Sequence, residues 1–474
     1  MAVPKDYFTC SQIRAAIAVS LGSLVVGFTS AWSSPAIASL QAEGSSIPIS
    51  DTEASWVGSL MPLAALVGGL TGGTALDKFG RKMTILSTSV PFIAAGLMVT
   101  FSSSVYVIYA GRAVAGFCIG VMSLSLPVYL AETIHPEVRG RLGMLPTTLG
   151  NMGVLICYIC GAWMDWSQLS LVSAVLPIPF LAMMCPIPES PTFLISKQKN
   201  TKALRSLELL RGQNIETSDE FLRLKSAENE NQKSRPNGFP LSRSDLHPLS
   251  LCLGLMMFQQ LSGINAVMFY SVSIFVDSGS ASPHISTIIL GVVNIFATIM
   301  SNLLIDRLGR KVLLYISSVG MMISLGVLGA HYHSQAVSPL TPLVALVLYI
   351  ISFSFGFGPI PWLLMGELLP SRSRGTCAAI TTGTNWAATF IVTKTFLDLK
   401  NLVGAATVFW LYGLICGMAL LFIMVAVPET RGKSLEEIER LFIKPDDTPA
   451  LDEEEGRPSR SSIANMKSTP SQLL

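Results

Sequence analysis

Three carboxamide side chains lie within seven residues of one long apolar run, at Gln259, Gln260 and Asn265. A carboxamide both donates and accepts hydrogen bonds, so it can bind two adjacent hydroxyl groups at once. Such groups are costly in a membrane helix unless they face a polar cavity. Hydrogen bonding between helices could explain one of the three residues, but not all of them. Their spacing therefore predicts a membrane pocket for a neutral ligand rich in hydroxyl groups.

Two interruptions of apolar runs accompany these carboxamides. Ser262 and Gly263 separate Gln260 from Asn265 and can loosen a helix at that point, so that its outer half moves over a ligand. Further along, the stretch 358–362 reads Gly-Pro-Ile-Pro-Trp and combines a helix break with an indole. Prolines free backbone groups that only a protein-lined cavity tolerates. A membrane tryptophan is commonly an interfacial anchor, but the position of Trp362 beside a break favours the pocket.

A charged turn occurs twice in the chain. Residues 73–82 end in Asp-Lys-Phe-Gly-Arg-Lys and residues 302–311 end in Asp-Arg-Leu-Gly-Arg-Lys, each between two apolar runs. The two aspartates are separated by 306 − 77 = 229 residues, and a Glu…Arg-Gly pair recurs at nearly the same offset, 367 − 132 = 235. A third pair, Pro-Glu-Ser at 188–190 and Pro-Glu-Thr at 428–430, ends each half. This repetition predicts a duplicated membrane protein whose halves face each other, as in alternating-access transporters.

The repeated charges also predict a gate. Carboxylates and arginines at the ends of neighbouring spans would form a network that links the two halves, holds the inner gate closed in one state and breaks in the other. Alternatively, the charges only set the topology, but the duplication of each element favours a gate. The predicted members of this network are Asp77, Arg81, Arg112, Glu132, Arg139, Asp306, Arg310, Glu367 and Arg374.

The composition indicates which elements position these residues. Half of the residues are apolar, only 13% are charged and the mean hydropathy is +0.54, whereas roughly a quarter of a soluble domain is charged. A spanning helix needs about 20 mostly apolar residues. We therefore expect an all-α membrane protein with twelve transmembrane helices in two pseudo-symmetric six-helix halves. The predicted spans are 13–35, 54–76, 83–101, 105–130, 142–163, 168–187, 248–276, 284–305, 312–330, 341–366, 376–397 and 403–427.

The loops predict the orientation and the domains. The short turns after spans 2, 4, 8 and 10 are rich in lysine and arginine, so that side should be cytoplasmic together with both termini. The first apolar run is too long for a signal peptide and is expected to remain as a span. The expected domains are a first bundle (1–187), a cytoplasmic linker with short amphipathic helices (188–247), a second bundle (248–427) and a largely disordered cytoplasmic tail (428–474).

Other chemistries find little support in the sequence. Most of the eight cysteines lie in apolar runs, and Cys157-x-x-Cys160 is better interpreted as two buried small residues than as a metal or redox pair. We expect no metal and no cofactor. The net charge of +2 indicates no nucleic-acid partner, and no obligate protein partner is evident. Without a nucleophile–base constellation or a phosphate loop, an enzyme is the weakest hypothesis, and the duplicated gate disfavours a channel.

These motifs together resemble the sugar porter family of the major facilitator superfamily. The resemblance rests on the two charged turns, Gly111-Arg112, Pro188-Glu189-Ser190-Pro191, Gln259-Gln260-Leu261-Ser262-Gly263-Ile264-Asn265 and Pro428-Glu429-Thr430-Arg431-Gly432. It implies the major facilitator fold and a sugar as ligand. The substrate-binding residues that it implies are Gln259, Gln260, Asn265, Asn294, Trp362, Asn385, Trp386 and, at a position where many hexose carriers have glutamine, Thr147.

Departures from the family pattern refine the expected function. Proton-coupled relatives have an aspartate in span 1 where this chain has Thr29, and Ser354 stands where hexose carriers often have glutamate. A hydroxyl does not titrate near neutral pH, which favours passive uniport over proton symport. The stretches 138–147 and 150–153 look most like arthropod facilitated trehalose transporters, which implies trehalose as the substrate. We expect the protein in the plasma membrane. A glucose or hexose facilitator, a proton-coupled sugar symporter, a non-transporting sugar sensor and an internal membrane remain the alternatives.

Overall fold

The computed structural model describes residues 9–135, 138, 142–212, 215–233, 243–334, 338, 340–370, 373–431, 437, 438 and 442. Within these residues the chain forms 21 helices and no strand. Ten helical stretches are long and apolar enough to cross a membrane. Leu145–Cys160, a shorter apolar helix, and Arg374–Val403, a 30-residue helix with many threonines, complete the twelve expected spans. The prediction of an all-α, twelve-span membrane fold is confirmed.

Nine helices form the first six spans. They are α1 (Cys10–Ala31) and α2 (Ser33–Gln41) in span 1, α3 (Asp51–Phe79) in span 2, α4 (Arg81–Ser87) and α5 (Ser89–Thr100) in span 3, α6 (Val105–Thr133) in span 4, α7 (Leu145–Cys160) in span 5, and α8 (Trp166–Val175) and α9 (Pro177–Met184) in span 6. Span 6 is interrupted where Pro177 begins the second helix, because proline cannot donate to the preceding turn.

Three helices follow between the two halves, namely α10 (Pro191–Ser196), α11 (Asn200–Arg211) and α12 (Ile215–Lys233). Helix α11 buries Leu207 and Leu210 and exposes Lys202 and Arg205, so it is amphipathic. The hydroxyl of Thr9 donates to the carbonyl of Leu210 at 2.6 Å and ties this helix to the start of span 1. Residues 234–242 and the tail beyond 442 lie outside the described residues, so the predicted four-part division remains a prediction.

Nine further helices form the last six spans. They are α13 (Arg243–Leu261), α14 (Ile264–Phe269) and α15 (Ser271–Asp277) in span 7, α16 (Pro283–Leu308) in span 8, α17 (Arg310–Ser334) in span 9, α18 (Thr341–Phe355) and α19 (Ile360–Leu368) in span 10, α20 (Arg374–Val403) in span 11 and α21 (Ala405–Ala426) in span 12.

The two ends of the bundle differ in charge. We call the end that contains the turns at Gly80 and Gly309, together with the last residues of α6 and α19, the basic end, and the other the opposite end. Both glycines adopt positive φ angles, 99° and 88°. A Cβ atom at either position would lie 2.6 Å and 2.9 Å from the carboxylates of Glu189 and Glu429, respectively. The repeated turns therefore have the same backbone conformation and the same close carboxylate neighbour.

Candidate functional site

Span 7 is broken at the predicted point. Helix α13 ends at Leu261, Gly263 adopts a left-handed φ of +89°, and α14 begins at Ile264. A side chain at Gly263 would also strike the ring of Tyr412, which lies 2.4 Å from the Cβ position. Glycine is therefore required here for both backbone and space. The break places Gln259 and Gln260 on one helix and Asn265 on the next.

Span 10 is broken beside it. Helix α18 ends at Phe355 and α19 begins at Ile360, so the carbonyl groups between them lack helical partners. Gln259 satisfies two of them, because its Nε2 donates to the carbonyls of Phe357 at 2.6 Å and Gly358 at 3.1 Å. One side chain thus joins the broken spans 7 and 10.

Four carboxamides lie together at this junction, and we call Gln259, Gln260, Asn265 and Asn385 the carboxamide cluster. Asn385 Nδ2 donates to Gln259 Oε1 at 2.8 Å, and Gln260 Nε2 donates to the same oxygen at 3.2 Å. Asn265 Nδ2 in turn donates to Gln260 Oε1. The two glutamines and Asn385 are at most 5% exposed. Each of these hydrogen bonds joins two neutral amides. The hydroxyl groups of a ligand can therefore take the place of either amide without a change in charge.

The other predicted pocket residues occupy several places. Asn294 of span 8 accepts a hydrogen bond from Ser354 of span 10 at 3.2 Å. The indole nitrogen of Trp386 is buried and has no hydrogen-bond partner in the described part of the chain. Trp362 is 38% exposed. Thr147 is exposed near the start of α7 and is not brought to the cluster by any described hydrogen bond.

Sequence reasoning missed one neighbour of the cluster, Thr389. It lies one turn after Asn385 on α20, and its hydroxyl is 3.5 Å from Asn265 Nδ2. Helical spacing from Asn385 was the available signal, since residues four apart share one helix face.

The basic end contains an ion pair in the first half. Arg81 donates from Nη2 to Glu132 at 2.9 Å and from Nε at 3.0 Å, a two-point contact between spans 3 and 4. Ser190 donates its hydroxyl to the same carboxylate. The neighbouring carboxylate of Glu189 accepts from the backbone N–H of Lys82 at 2.9 Å. The Pro-Glu-Ser motif therefore makes two contacts: Ser190 binds Glu132, the partner of Arg81, and Glu189 binds the backbone at the start of span 3.

The second half repeats this arrangement. Arg310 Nη2 donates to Glu367 at 2.9 Å, and Thr430 donates to Glu367 at 2.6 Å. Glu429 accepts from the backbone N–H groups of Arg310 at 3.1 Å and Lys311 at 3.0 Å. Burial raises the pKa of Glu429, but hydrogen bonds from four backbone N–H groups outweigh it, so the pKa lies below its usual range. The only sign in the sequence that Glu429 binds the start of span 9 is the duplicated Pro-Glu-Ser/Thr motif.

The structure shows the predicted network in one state only, with the halves joined at the other end of the bundle. The Arg81–Glu132 and Arg310–Glu367 ion pairs each join two spans of the same half, so in this state they do not link the halves to each other. Asp77 is exposed at the end of α3. Arg139 lies outside the described residues, as do the side chains of Asp306 and Arg374. The roles of these four residues as gate members remain predictions.

Arg112 lies far from the other predicted members of the network. It precedes Glu132 on α6 by 132 − 112 = 20 residues, which corresponds to about 30 Å along a helix. Its guanidinium is buried among spans 1, 2 and 4 and donates to the carbonyl of Thr29 at 2.9 Å and to the hydroxyl of Ser33 at 2.7 Å. Arg112 is therefore not part of the basic-end ion pairs.

Contacts between the halves occur at the opposite end. Lys394 of span 11 donates to the hydroxyl of Ser55 of span 2 at 2.9 Å, and its ammonium lies 5.1 Å from the ring centre of Trp56. Asn401 donates to Asp51 at 2.9 Å in the same pair of spans. In this structure the halves are joined at the opposite end, a contact that local sequence patterns do not predict.

We expect the basic-end ion pairs to stabilise the fold. Glu367→Gln should lower the stability by about 1–3 kcal/mol, because a partly buried hydrogen-bonded charge loses its partner. Thermal unfolding of the purified protein measures this, with Glu43→Gln as a matched control, since Glu43 is exposed. Equal melting temperatures for the two variants would contradict a structural role for the pair.

Comparison with known proteins identifies relatives along nearly the whole chain. The family model described as "Sugar (and other) transporter" matches residues 15–442. The chain is 49% identical over 475 residues to the facilitated trehalose transporter Tret1-2 homolog of Drosophila simulans, which covers 98% of this chain and 95% of that protein. It is 50% identical over 469 residues to the facilitated trehalose transporter Tret1 of Polypedilum vanderplanki, covering 96% and 91%. Some relatives are longer, and the match spans 53% of Tret1 of Drosophila pseudoobscura pseudoobscura.

Solved structures with the same fold include two of a bacterial sugar carrier. The proton:xylose symporter XylE bound to 6-bromo-6-deoxy-D-glucose matches with a TM-score of 0.76 at 26% identity, covering 92% of this chain and all (100%) of that one. The inward open conformation of the xylose transporter XylE from E. coli matches with a TM-score of 0.77 at 24% identity, covering 90% and 98%, and supports the fold alone. With a family model that spans most of its length and relatives about half identical to it, the chain belongs to the sugar transporter family and has the major facilitator fold.

Proposed function

We propose that the chain is a facilitative transporter that carries trehalose across a membrane by alternating access. The observation that carries this proposal is the carboxamide cluster, which lies at the junction of the broken spans 7 and 10 in a member of the sugar transporter family. The substrate is taken from the names of the relatives that are 48–50% identical to the chain. It is not an enzyme.

The chemistry of the cluster suits a neutral sugar. Its members provide amide donors and acceptors in pairs and no charged group, so a charged ligand would gain no counter-ion from them. A sugar has vicinal hydroxyls that both donate and accept hydrogen bonds. Each bond that Gln259 or Gln260 now makes to a neighbouring amide can therefore be replaced by one bond to a sugar hydroxyl. Trp386 is next to Asn385 on α20, and its indole N–H, which has no hydrogen-bond partner among the described residues, offers an additional donor.

The same chemistry supports passive transport. Carboxamides and hydroxyls do not titrate near neutral pH, so the cluster cannot take up a proton with the sugar. Thr29, in the position where proton-coupled relatives have aspartate, shares its hydroxyl with Ser173 at a distance of 3.3 Å. Transport should therefore follow the sugar gradient alone.

Alternating access requires the two halves to separate at one end while they close at the other. In this structure the halves are joined at the opposite end, while the described ion pairs at the basic end stay within the halves. The helix breaks at Gly263 and Gly358 allow α14 and α19 to move relative to α13 and α18. By the positive-inside bias we place the basic end and both termini in the cytoplasm. We propose the plasma membrane as the protein's location.

Uptake into proteoliposomes tests this function. Labelled trehalose should enter with saturable kinetics, stop when the inside and outside concentrations are equal, and show the same plateau when an inward proton gradient is imposed. Accumulation above the outside concentration, abolished by a protonophore, would contradict the uniport proposal. Glucose serves as the competing substrate, because the related XylE was solved with a glucose derivative. Uptake of glucose without uptake of trehalose would make the chain a hexose facilitator.

A further inference from the structure

Arg112 is a buried charge whose described partners are all neutral. The residue is 2% exposed. Its guanidinium donates to the carbonyl of Thr29 and the hydroxyl of Ser33, and lies 4.9 Å from the ring centre of Trp32. Among the described residues it forms no ion pair. A guanidinium does not lose its proton in proteins, so its positive charge persists in the membrane interior. Such a charge is costly there without a counter-ion.

A small cavity adjoins this charge. Its volume is about 20 Å³, and it lies where spans 1, 3, 4 and 6 meet. The polar part of its lining consists of Arg112, Trp32 and the hydroxyls of Thr29, Ser170 and Ser173, and the rest is apolar. No carboxylate lines it. The cavity therefore combines one positive charge with hydroxyl groups in apolar surroundings.

The hydrogen bonds around the cavity leave a donor free. Ser170 uses its proton on the carbonyl of Trp166 at 2.6 Å and accepts from the indole of Trp32 at 3.0 Å. Thr29 and Ser173 share one hydrogen bond at 3.3 Å, in which either can be the donor. Whichever hydroxyl accepts that bond keeps its own proton for a ligand.

We propose that this cavity binds one halide ion, chloride in the cell, as the counter-ion of Arg112. The charge and the free hydroxyl select an anion. A volume of about 20 Å³ has room for one particle near the size of a water molecule, which needs about 10–15 Å³, so a monatomic anion is the simplest fit. Water would fit but would leave the charge of Arg112 uncompensated.

The site is separate from the carboxamide cluster, which lies in the second half. The effect of an ion in this cavity follows from the position of Arg112 beside the break in span 1. Helix α1 ends at Ala31 and α2 begins at Ser33, and Arg112 donates to residues on both sides of this break. A bound halide would fix the guanidinium that spans the break, and so stabilise the first half of the bundle.

Thermal unfolding of the purified full-length protein tests the proposal. At constant ionic strength, the melting temperature should rise saturably by several degrees when sodium gluconate is replaced by sodium chloride or sodium bromide. A melting temperature that is the same in gluconate and chloride would overturn the proposal.

Substitutions at Thr29 locate the effect. Thr29→Asp places a carboxylate in the cavity, so the variant should lose its response to chloride. Thr29→Ser is the matched control, because it keeps the hydroxyl and should keep the response. A full chloride response in Thr29→Asp would place the responsible site elsewhere and contradict the proposal.

The wild type also gives a test that does not depend on the folding of a variant. Crystals grown in sodium bromide should show an anomalous peak in the cavity, in contact with the guanidinium of Arg112. A cavity without bromide at saturating concentration would overturn the assignment.

Discussion

Gln259→Leu is expected to reduce trehalose uptake at least about tenfold while the protein still reaches the membrane. The side chain is 2% exposed and joins two carbonyls of span 10 to Asn385 of span 11. Leucine has no amide to bind the sugar, and each hydrogen bond to the sugar that is lost costs about 0.5–1.5 kcal/mol. Since about 1.4 kcal/mol corresponds to a factor of ten, the loss should be evident in the initial rate of uptake into proteoliposomes.

Gln41→Leu provides the control for this experiment. Gln41 is also a glutamine with a side-chain hydrogen bond, to Asp51 at 2.9 Å, but it is exposed at the opposite end. An exposed polar contact contributes little, so this variant should transport like the wild type. If the two leucine variants transport equally well, the carboxamide cluster does not bind the sugar.

The second large effect is expected at the break in span 7. Gly263→Ala should destabilise the protein by about 2–5 kcal/mol and abolish most of its transport. A left-handed residue with a Cβ costs about 1–2 kcal/mol, and overpacking adds about 1–3 kcal/mol, because Tyr412 lies only 2.4 Å from the new atom. Melting temperature and uptake rate should fall together.

Gly366→Ala is the matched glycine control. Gly366 lies in α19, and a Cβ there would meet no atom within 4 Å. This variant should melt near the wild-type temperature and transport sugar. A Gly263→Ala protein that melts and transports like the Gly366→Ala protein would show that the left-handed break is not required.

The sequence was sufficient to predict the spans and the two helix breaks. Twenty or so apolar residues form a membrane helix whatever surrounds them, and the prolines and glycines at 263 and 358–361 disrupt helices through local sterics. Span 11 was predicted correctly although its polar threonines and asparagines lower its hydropathy, because it lies between two clear turns.

The partners within the site were less predictable. The three carboxamides of span 7 were recognised, but their pairing with Asn385 depends on how α20 packs beside α13. Arg81 and Arg310 each bind a glutamate of their own half in this structure, and the sequence does not show which of the neighbouring carboxylates each arginine selects. That choice depends on the rotation of neighbouring helices, which local sequence does not specify. The contact of Lys394 with Ser55 depends in addition on which end of the transporter is closed.

A structure of the protein with trehalose bound tests the central claim most directly. The account predicts that sugar hydroxyls occupy the donors and acceptors of Gln259, Gln260, Asn265 and Asn385, and that the bonds now joining Gln260 to Asn265 and Gln259 to Asn385 are replaced by bonds to the sugar. Trehalose bound elsewhere, with the hydrogen bonds of the carboxamide cluster intact, would contradict it.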